Sequence, residues 1–275
     1  MSDRAAPPPP PDPLSPLIDA HTHLDACGAH DPAGVAAVLD RASAAGVERV
    51  VTVSDDLASA RWVVQAAGWD ARVWAATALH PTRAHTLVDA AKTELEVLAA
   101  HPRTVAVGET GLDYYWPGRL AGCAQPPEQE DAFRWHIDLA KRVGKPVMVH
   151  DRDAHDDVLR LLREEGPPPT VVFHCFSGDA AMARECVAAG YVLSFSGTVS
   201  FRNAGDLHAA AALVPANQLM VETDAPFLTP HPYRGRPNEP YLLPHTLRAL
   251  ALLRGEHPQE LAAATTATAE RVYRL

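Results

Sequence analysis

Lysine is nearly missing from this chain: among 24 basic residues only Lys92, Lys141 and Lys145 are lysines, and the formal net charge is −10. That balance excludes recognition of nucleic acid through a broad basic face. It leaves room for a local site, because divalent cations held by acidic residues invert the field and attract phosphate. Cysteine is also scarce. Cys27, Cys123, Cys175 and Cys186 form no C-x-x-C pair, so a cytoplasmic chain without a disulfide framework is expected. No apolar run approaches the roughly 20 residues of a membrane span, and the start carries no apolar segment of signal-peptide type. No glycine-rich phosphate loop follows the first apolar run, which argues against the alternative fold, a doubly wound open sheet.

What is present is a chain of 275 residues, 47% of them hydrophobic. That length suits one α/β barrel, which needs about 250 residues. Residues 1–16 are Pro-rich, and prolines neither extend a helix nor donate to a ladder. They read as a disordered or extended lead-in to a single domain over 17–275. Apolar, often β-branched runs recur near 17–20, 49–54, 73–79, 104–109, 146–150, 170–174, 191–196 and 219–223. Their near-continuous apolar character fits parallel strands covered on both faces. Helix-like stretches lie between them, several closing on Gly46, Gly144, Gly166 or Gly190, where a left-handed cap belongs. The strand–helix alternation occurs about eight times, and a closing helix is expected from 258 onward. The fold class is therefore α/β, a single (β/α)8 TIM barrel with its active site at the strand C-terminal ends.

The metal-binding residue types fall at those ends. His21 and His23 follow the first strand in "LIDAHTHLD", Glu109 the fourth, His150 the fifth, His174 the sixth, and Glu222 and Asp224 the eighth. An isolated H-x-H says little; seven such residues at the same edge of five strands say much more. Residues two apart on a strand face the same side, so Asp19, His21 and His23 point one way, and a kink after the strand lets both imidazoles grip one ion. Asp19, deeper in the barrel, suits an outer role. Four His and at least two carboxylates exceed what one tetrahedral ion needs. Two ions about 3.5–4 Å apart would use them all. With no lysine in the set, Glu109 is the expected bridge. Magnesium, manganese and zinc all accept such mixed ligands.

The motifs "DAHTHLD", "GETGLDYY", "VHDRDA", "FHCFSG" and "ETDAPFL", followed by "RGRPNEP", resemble in order those of the TatD-family metal-dependent hydrolases, from about Leu17 to Leu275. The resemblance implies a metal-dependent deoxyribonuclease, a 3′→5′ exonuclease on single-stranded DNA, with two divalent ions. It implies that His21, His23, Glu109 and Asp224 hold one ion and Glu109, His150 and His174 the other. Asp224 and Glu109 are then the catalytic pair, and Glu222 is the auxiliary acid of the ETD motif. Arg152, and Arg234 or Arg236, are expected to meet phosphate, since the planar guanidinium fork matches it. His80 is expected to join them in binding substrate or phosphate, and Asn238 is a further site candidate. Two departures stand out: Thr268 replaces the Asn usual in the closing helix, and residues 116–131 are looser than the common pattern.

The mechanism expected is in-line attack on phosphorus by hydroxide activated between the ions, with Asp224 taking the water proton. The same site acting on an amide, lactone or aminoacyl ester such as D-aminoacyl-tRNA is the rival reaction. A non-catalytic metal-dependent binding protein is the rival class. Tyr114, Tyr115 and Trp116 are able to stack an unpaired base, although packing is the expected role for at least two of them.

Overall fold

The computed structural model describes residues 6–275. Eight strands form one sheet in the order β1 to β8: Leu17–Thr22, Val47–Val53, Val73–Ala76, Thr104–Asp113, Val147–Arg152, Val171–Phe173, Val192–Phe195 and Leu219–Val221. Every neighbouring pair is parallel. Parallel neighbours need crossovers, and α-helices supply them: α1 Pro32–Ala44, α2 Leu57–Trp69, α3 Asp89–Ala100, α4 Pro126–Val143, α5 His155–Glu165, α6 Ala180–Ala188 and α7 Gly205–Leu213, then α8 Leu243–Arg254 and α9 Pro258–Tyr273. All eight expected strands are present. The (β/α)8 barrel stands.

Two layers of apolar packing follow from this order. Val35, Leu39, Val63, Leu95, Phe133, Leu161, Phe195 and Leu247 belong to the layer between strands and helices. Ile18, Val51, Ala106, Met148, Val172, Val192 and Met220 fill the barrel interior, where Ala269, Val272 and Tyr273 of α9 join them. The closing helix thus plugs the end opposite the mouth, with the Tyr273 hydroxyl donating to Ala20 O at 3.3 Å. Thr268 serves this helix by bonding Ala216 O at 2.9 Å.

The seam between β1 and β8 is stitched at the mouth. Asp224 N donates to His21 O (3.0 Å), and His23 N donates to Ala225 O (2.8 Å). One step deeper, the Asp19 carboxylate accepts the backbone N–H of Thr223 (2.9 Å) and its hydroxyl. This fixes the ends of the two strands side by side. Burial pushes Asp19 up to about 8, against the Thr223 hydrogen bonds that favour its charge.

Residues 1–5 of the lead-in lie outside the described residues. Residues 6–16 form neither helix nor strand. Leu14 is buried and donates its N–H to Ala45 O (3.0 Å). Arg236 reaches Ala6 O and Pro7 O, Tyr241 reaches Pro8 O, and Arg248 reaches Asp12 O. With prolines unable to donate, residues 6–13 are held through their carbonyls.

Candidate metal centre

β4 runs four residues beyond the expected end at Glu109, to Asp113. Alternation then puts Glu109, Gly111 and Asp113 on one face. Gly111 is needed there: at φ 141°, a Cβ on it would lie 2.1 Å from His150 O. That close approach lets β4 and β5 bring Glu109 and Asp113 beside His150. On β1 the register with β2 is irregular between Asp19 and Thr22, which is the kink that the H-x-H spacing requires.

Glu109 stands between two imidazole pairs. Its Oε1 lies 3.7 Å from His21 Nε2 and 3.6 Å from His23 Nε2. Its Oε2 lies 3.1 Å from His150 Nδ1 and 2.7 Å from His174 Nε2. Within each pair the facing nitrogens are 3.2 Å apart. Asp224 Oδ1 closes the first group, 3.4 Å from His21 Nε2 and 3.5 Å from His23 Nε2.

The outer nitrogens explain which ring edge faces inward. His23 Nδ1 meets Val53 O (3.1 Å) and His21 Nδ1 meets Met148 Sδ (3.2 Å). His150 Nε2 meets Asp113 Oδ2 (3.1 Å), and His174 Nδ1 meets Glu222 Oε1 (3.3 Å). None of these partners can donate, so each outer nitrogen carries a proton, and each inner nitrogen is the one that would offer its lone pair to a cation. Two buried lone pairs 3.2 Å apart repel unless a cation or a proton lies between them. The donor set therefore fits divalent metal, and the outer partners are of the type that orients metal-binding histidines.

The ionisation of the groups agrees. Burial alone would raise Glu109, but His174 and His21 hold it well below the usual carboxylate range. Burial depresses His23, yet the Asp224 hydrogen bond, Asp55 and Glu109 override it and leave the ring raised to about 10. His150 and His174 are raised for the same reason, against burial, by Asp113, Glu109 and Glu222. His21 is pulled well below its ordinary value by burial and by His174. Carboxylates that favour a protonated ring here also favour a divalent cation in its place.

The sequence-based candidates distribute as follows. His21, His23, Glu109, His150, His174 and Asp224 converge. Glu222 is fully buried behind them, accepting from Cys175 N (2.8 Å) as well as meeting His174. Asn238 holds the loop after β8, donating to Thr223 O at 3.0 Å. His80 stands edge-on to His150, ring centroids 4.4 Å apart, and burial followed by His150 lowers it to about 3. Arg152 lines the cleft above the site, its guanidinium 4.0 Å from the Tyr115 ring centroid. The structure does not bring Arg234 or Arg236 there. Arg236 holds the lead-in, and Arg234 lies over Phe201, 4.4 Å from its centroid. Of the three aromatics, Tyr114 bonds Asp157 (3.0 Å) and Tyr115 packs under Arg119 and Arg152, while Trp116 lines the cleft.

Three participants escaped sequence reading. Asp113 orients His150. Asp55 lies 3.8 Å from His23 Nδ1. Arg83 joins Arg152 as the second cationic side chain of the cleft, which measures about 1120 Å³ and also takes in Trp62, Leu120 and Phe227. Strand alternation from Glu109 would have found Asp113; no local signal marks Arg83 or Asp55.

Comparison with known proteins agrees with this geometry. The family model described as TatD related DNase matches residues 18–274. An uncharacterized metal-dependent hydrolase TatD of Mycobacterium tuberculosis is 65% identical over 259 residues, covering 94% of this chain and 98% of the relative. A 3′-5′ ssDNA/RNA exonuclease TatD of Cronobacter sakazakii is 37% identical over 242 residues, covering 86% and 90%. The crystal structure of YJJV, a TatD homolog of Escherichia coli, superposes with a TM-score of 0.84 at 29% identity, covering 94% of this chain and 98% of that one.

Proposed function

The chain belongs to the TatD family of metal-dependent hydrolases acting on ester bonds, and from that premise we propose that it is a 3′→5′ exonuclease on single-stranded DNA that uses two divalent ions. One observation carries the two-ion part: the mirrored imidazole pairs on the two oxygens of Glu109. His21, His23, Glu109 and Asp224 would hold the first ion, and Glu109, His150 and His174 the second. Magnesium, manganese and zinc all suit this set. Bound there, such ions supply Lewis-acid polarisation of the phosphoryl group and acidify water.

The chain's own residues supply the rest. Among Glu109, Asp113, Glu222 and Asp224, Asp224 has the most accessible side chain, 13% against 4% for Glu109 and none for the other two. It is the carboxylate within reach of attacking water, and it accepts that water's proton. The water oxygen bonds to phosphorus as the ester P–O bond breaks, and a proton returns to the departing oxygen. Arg83 and Arg152 offset the charge on the phosphates, and Trp116 and Phe227 offer faces to unpaired bases. The name of the Cronobacter relative supports nucleic acid as the substrate. A cytoplasmic place of action is part of this reading; among the described residues no helix is long and apolar enough to cross a membrane.

The test is digestion of 5′-labelled single-stranded DNA by metal-stripped protein, resupplied in turn with magnesium, manganese and zinc. A ladder shortening from the 3′ end, dependent on metal, is expected. No cleavage by a chain holding two ions would overturn the nuclease and favour a lactone, amide or aminoacyl ester in the same site.

A further inference from the structure

His80 is wired opposite to the four imidazoles around Glu109. It precedes the short 3-10 turn Pro81–Thr86, and the backbone N–H of Thr82 donates to its Nδ1 at 3.2 Å. The Thr82 hydroxyl lies 2.7 Å from the same nitrogen. A backbone N–H can only donate. Nδ1 must therefore hold a lone pair, and in the neutral ring the proton sits on Nε2. Among the described residues Nε2 has no hydrogen-bond partner, and the ring lines the cleft. Ligand atoms of His80, Glu109 and His150 lie within 4.8 Å of one another. Spacing alone would count His80 as a further ligand. The wiring speaks against it: with Nδ1 accepting a fixed N–H, ligation through Nε2 would require loss of the ring's last proton.

We infer that His80 is a hydrogen-bond donor to substrate, presenting Nε2–H to an oxygen of the reacting phosphoryl group, and that Thr82 is the positioning residue that fixes this tautomer. The identity of that oxygen rests on the phosphodiester reading; the donor role rests on the wiring. A neutral donor aimed at an oxygen that gains charge in the transition state stabilises it without transferring a proton. The sequence placed His80 among the substrate-side candidates but could not give its tautomer, because the decisive contact is made by a backbone N–H.

The experiment combines three readouts on the zinc-loaded full chain. Long-range proton–nitrogen NMR of 15N-histidine protein, with His80 assigned by its loss in His80→Gln, is expected to report the Nε2–H tautomer, and Thr82→Val to weaken that preference. Zinc content is expected to be equal in wild type, His80→Ala and His80→Gln. On single-stranded DNA, His80→Ala is expected to lose about 100-fold in kcat with little change in KM, and His80→Gln, whose amide N–H reaches the Nε2 position, to recover part of it. An Nδ1–H tautomer, or a zinc equivalent lost in His80→Ala, would overturn the inference. Failure of wild type to cut DNA overturns only the nuclease reading, since tautomer and zinc count are read without it.

Discussion

A single carboxylate divides its two oxygens between two pairs of imidazoles, so Glu109 is the residue on which both proposed ion sites depend. Replacing it by Gln keeps the shape and removes the charge. Glu109→Gln is predicted to weaken both ions at least tenfold, read as metal equivalents retained after dialysis; full retention of two equivalents would sink the bridging assignment. Asp113 acts one step further out, through His150 Nε2. Loss of such a partner typically costs 10–100-fold in metal affinity. Asp113→Ala is therefore predicted to release one ion within that range and leave the other, a split visible in a two-site titration. Equal weakening of both would contradict the division of the site. The convergence of these side chains was legible in sequence, because histidine and carboxylate at strand ends carry a chemical signal. Asp113 was legible in principle by alternation along β4. Arg236 misled because an arginine beside Pro237 looks the same whether it meets phosphate or backbone carbonyls, and here it meets the carbonyls of the lead-in.

At the level of elements, all eight strands were legible from apolar runs, and their ends were not. The sequence places the end of β4 at Glu109, yet Gln129 of α4 extends the strand, accepting from Asp113 N (2.7 Å) and donating to Asp113 O (3.0 Å). That partner is 16 residues away, beyond any local pattern. The same helix buries His136. Its Nδ1 bonds Ala132 O at 2.7 Å, its Nε2 accepts from Leu79 N at 3.3 Å, and burial lowers it to about 4. The folded state thus refuses a proton that the unfolded chain accepts near its ordinary value of 6.5. Stability is unaffected above that value and falls as pH drops from about 6.5 toward 4, by about 3 kcal/mol in all. Denaturant unfolding of wild type and of the non-titrating His136→Gln should show this as a stability difference that moves in the variant's favour on acidification. A difference constant between pH 7 and 4.5 would refute it. Gly111→Ala belongs to the same scale. The close approach to His150 O leaves no space for a methyl group, and the predicted result is a destabilised β4–β5 contact with loss of the second ion ahead of global unfolding.

The molecule as a whole is acidic, and its cleft is mostly so: Asp25, Asp55, Asp56 and Asp151 line it against Arg83 and Arg152. A strand longer than a few nucleotides finds no basic track to follow. On the proposed function, two arginines and the reacting phosphate at the ion site would make two to three phosphate contacts. Each contact on a single strand contributes a slope of about −0.7 in the logarithm of affinity against the logarithm of salt. The predicted slope is about −1.4 to −2, so affinity should fall by roughly one order of magnitude between about 50 and 200 mM salt. Fluorescence anisotropy of a short labelled strand, titrated across that range with calcium present, measures it directly. A much steeper slope would mean that the duplex or strand is gripped along a surface whose charge this chain does not have. A slope within the predicted range, kept when the strand is lengthened, would mean that the cleft holds only a strand end, which is the form of recognition an acidic exonuclease can support.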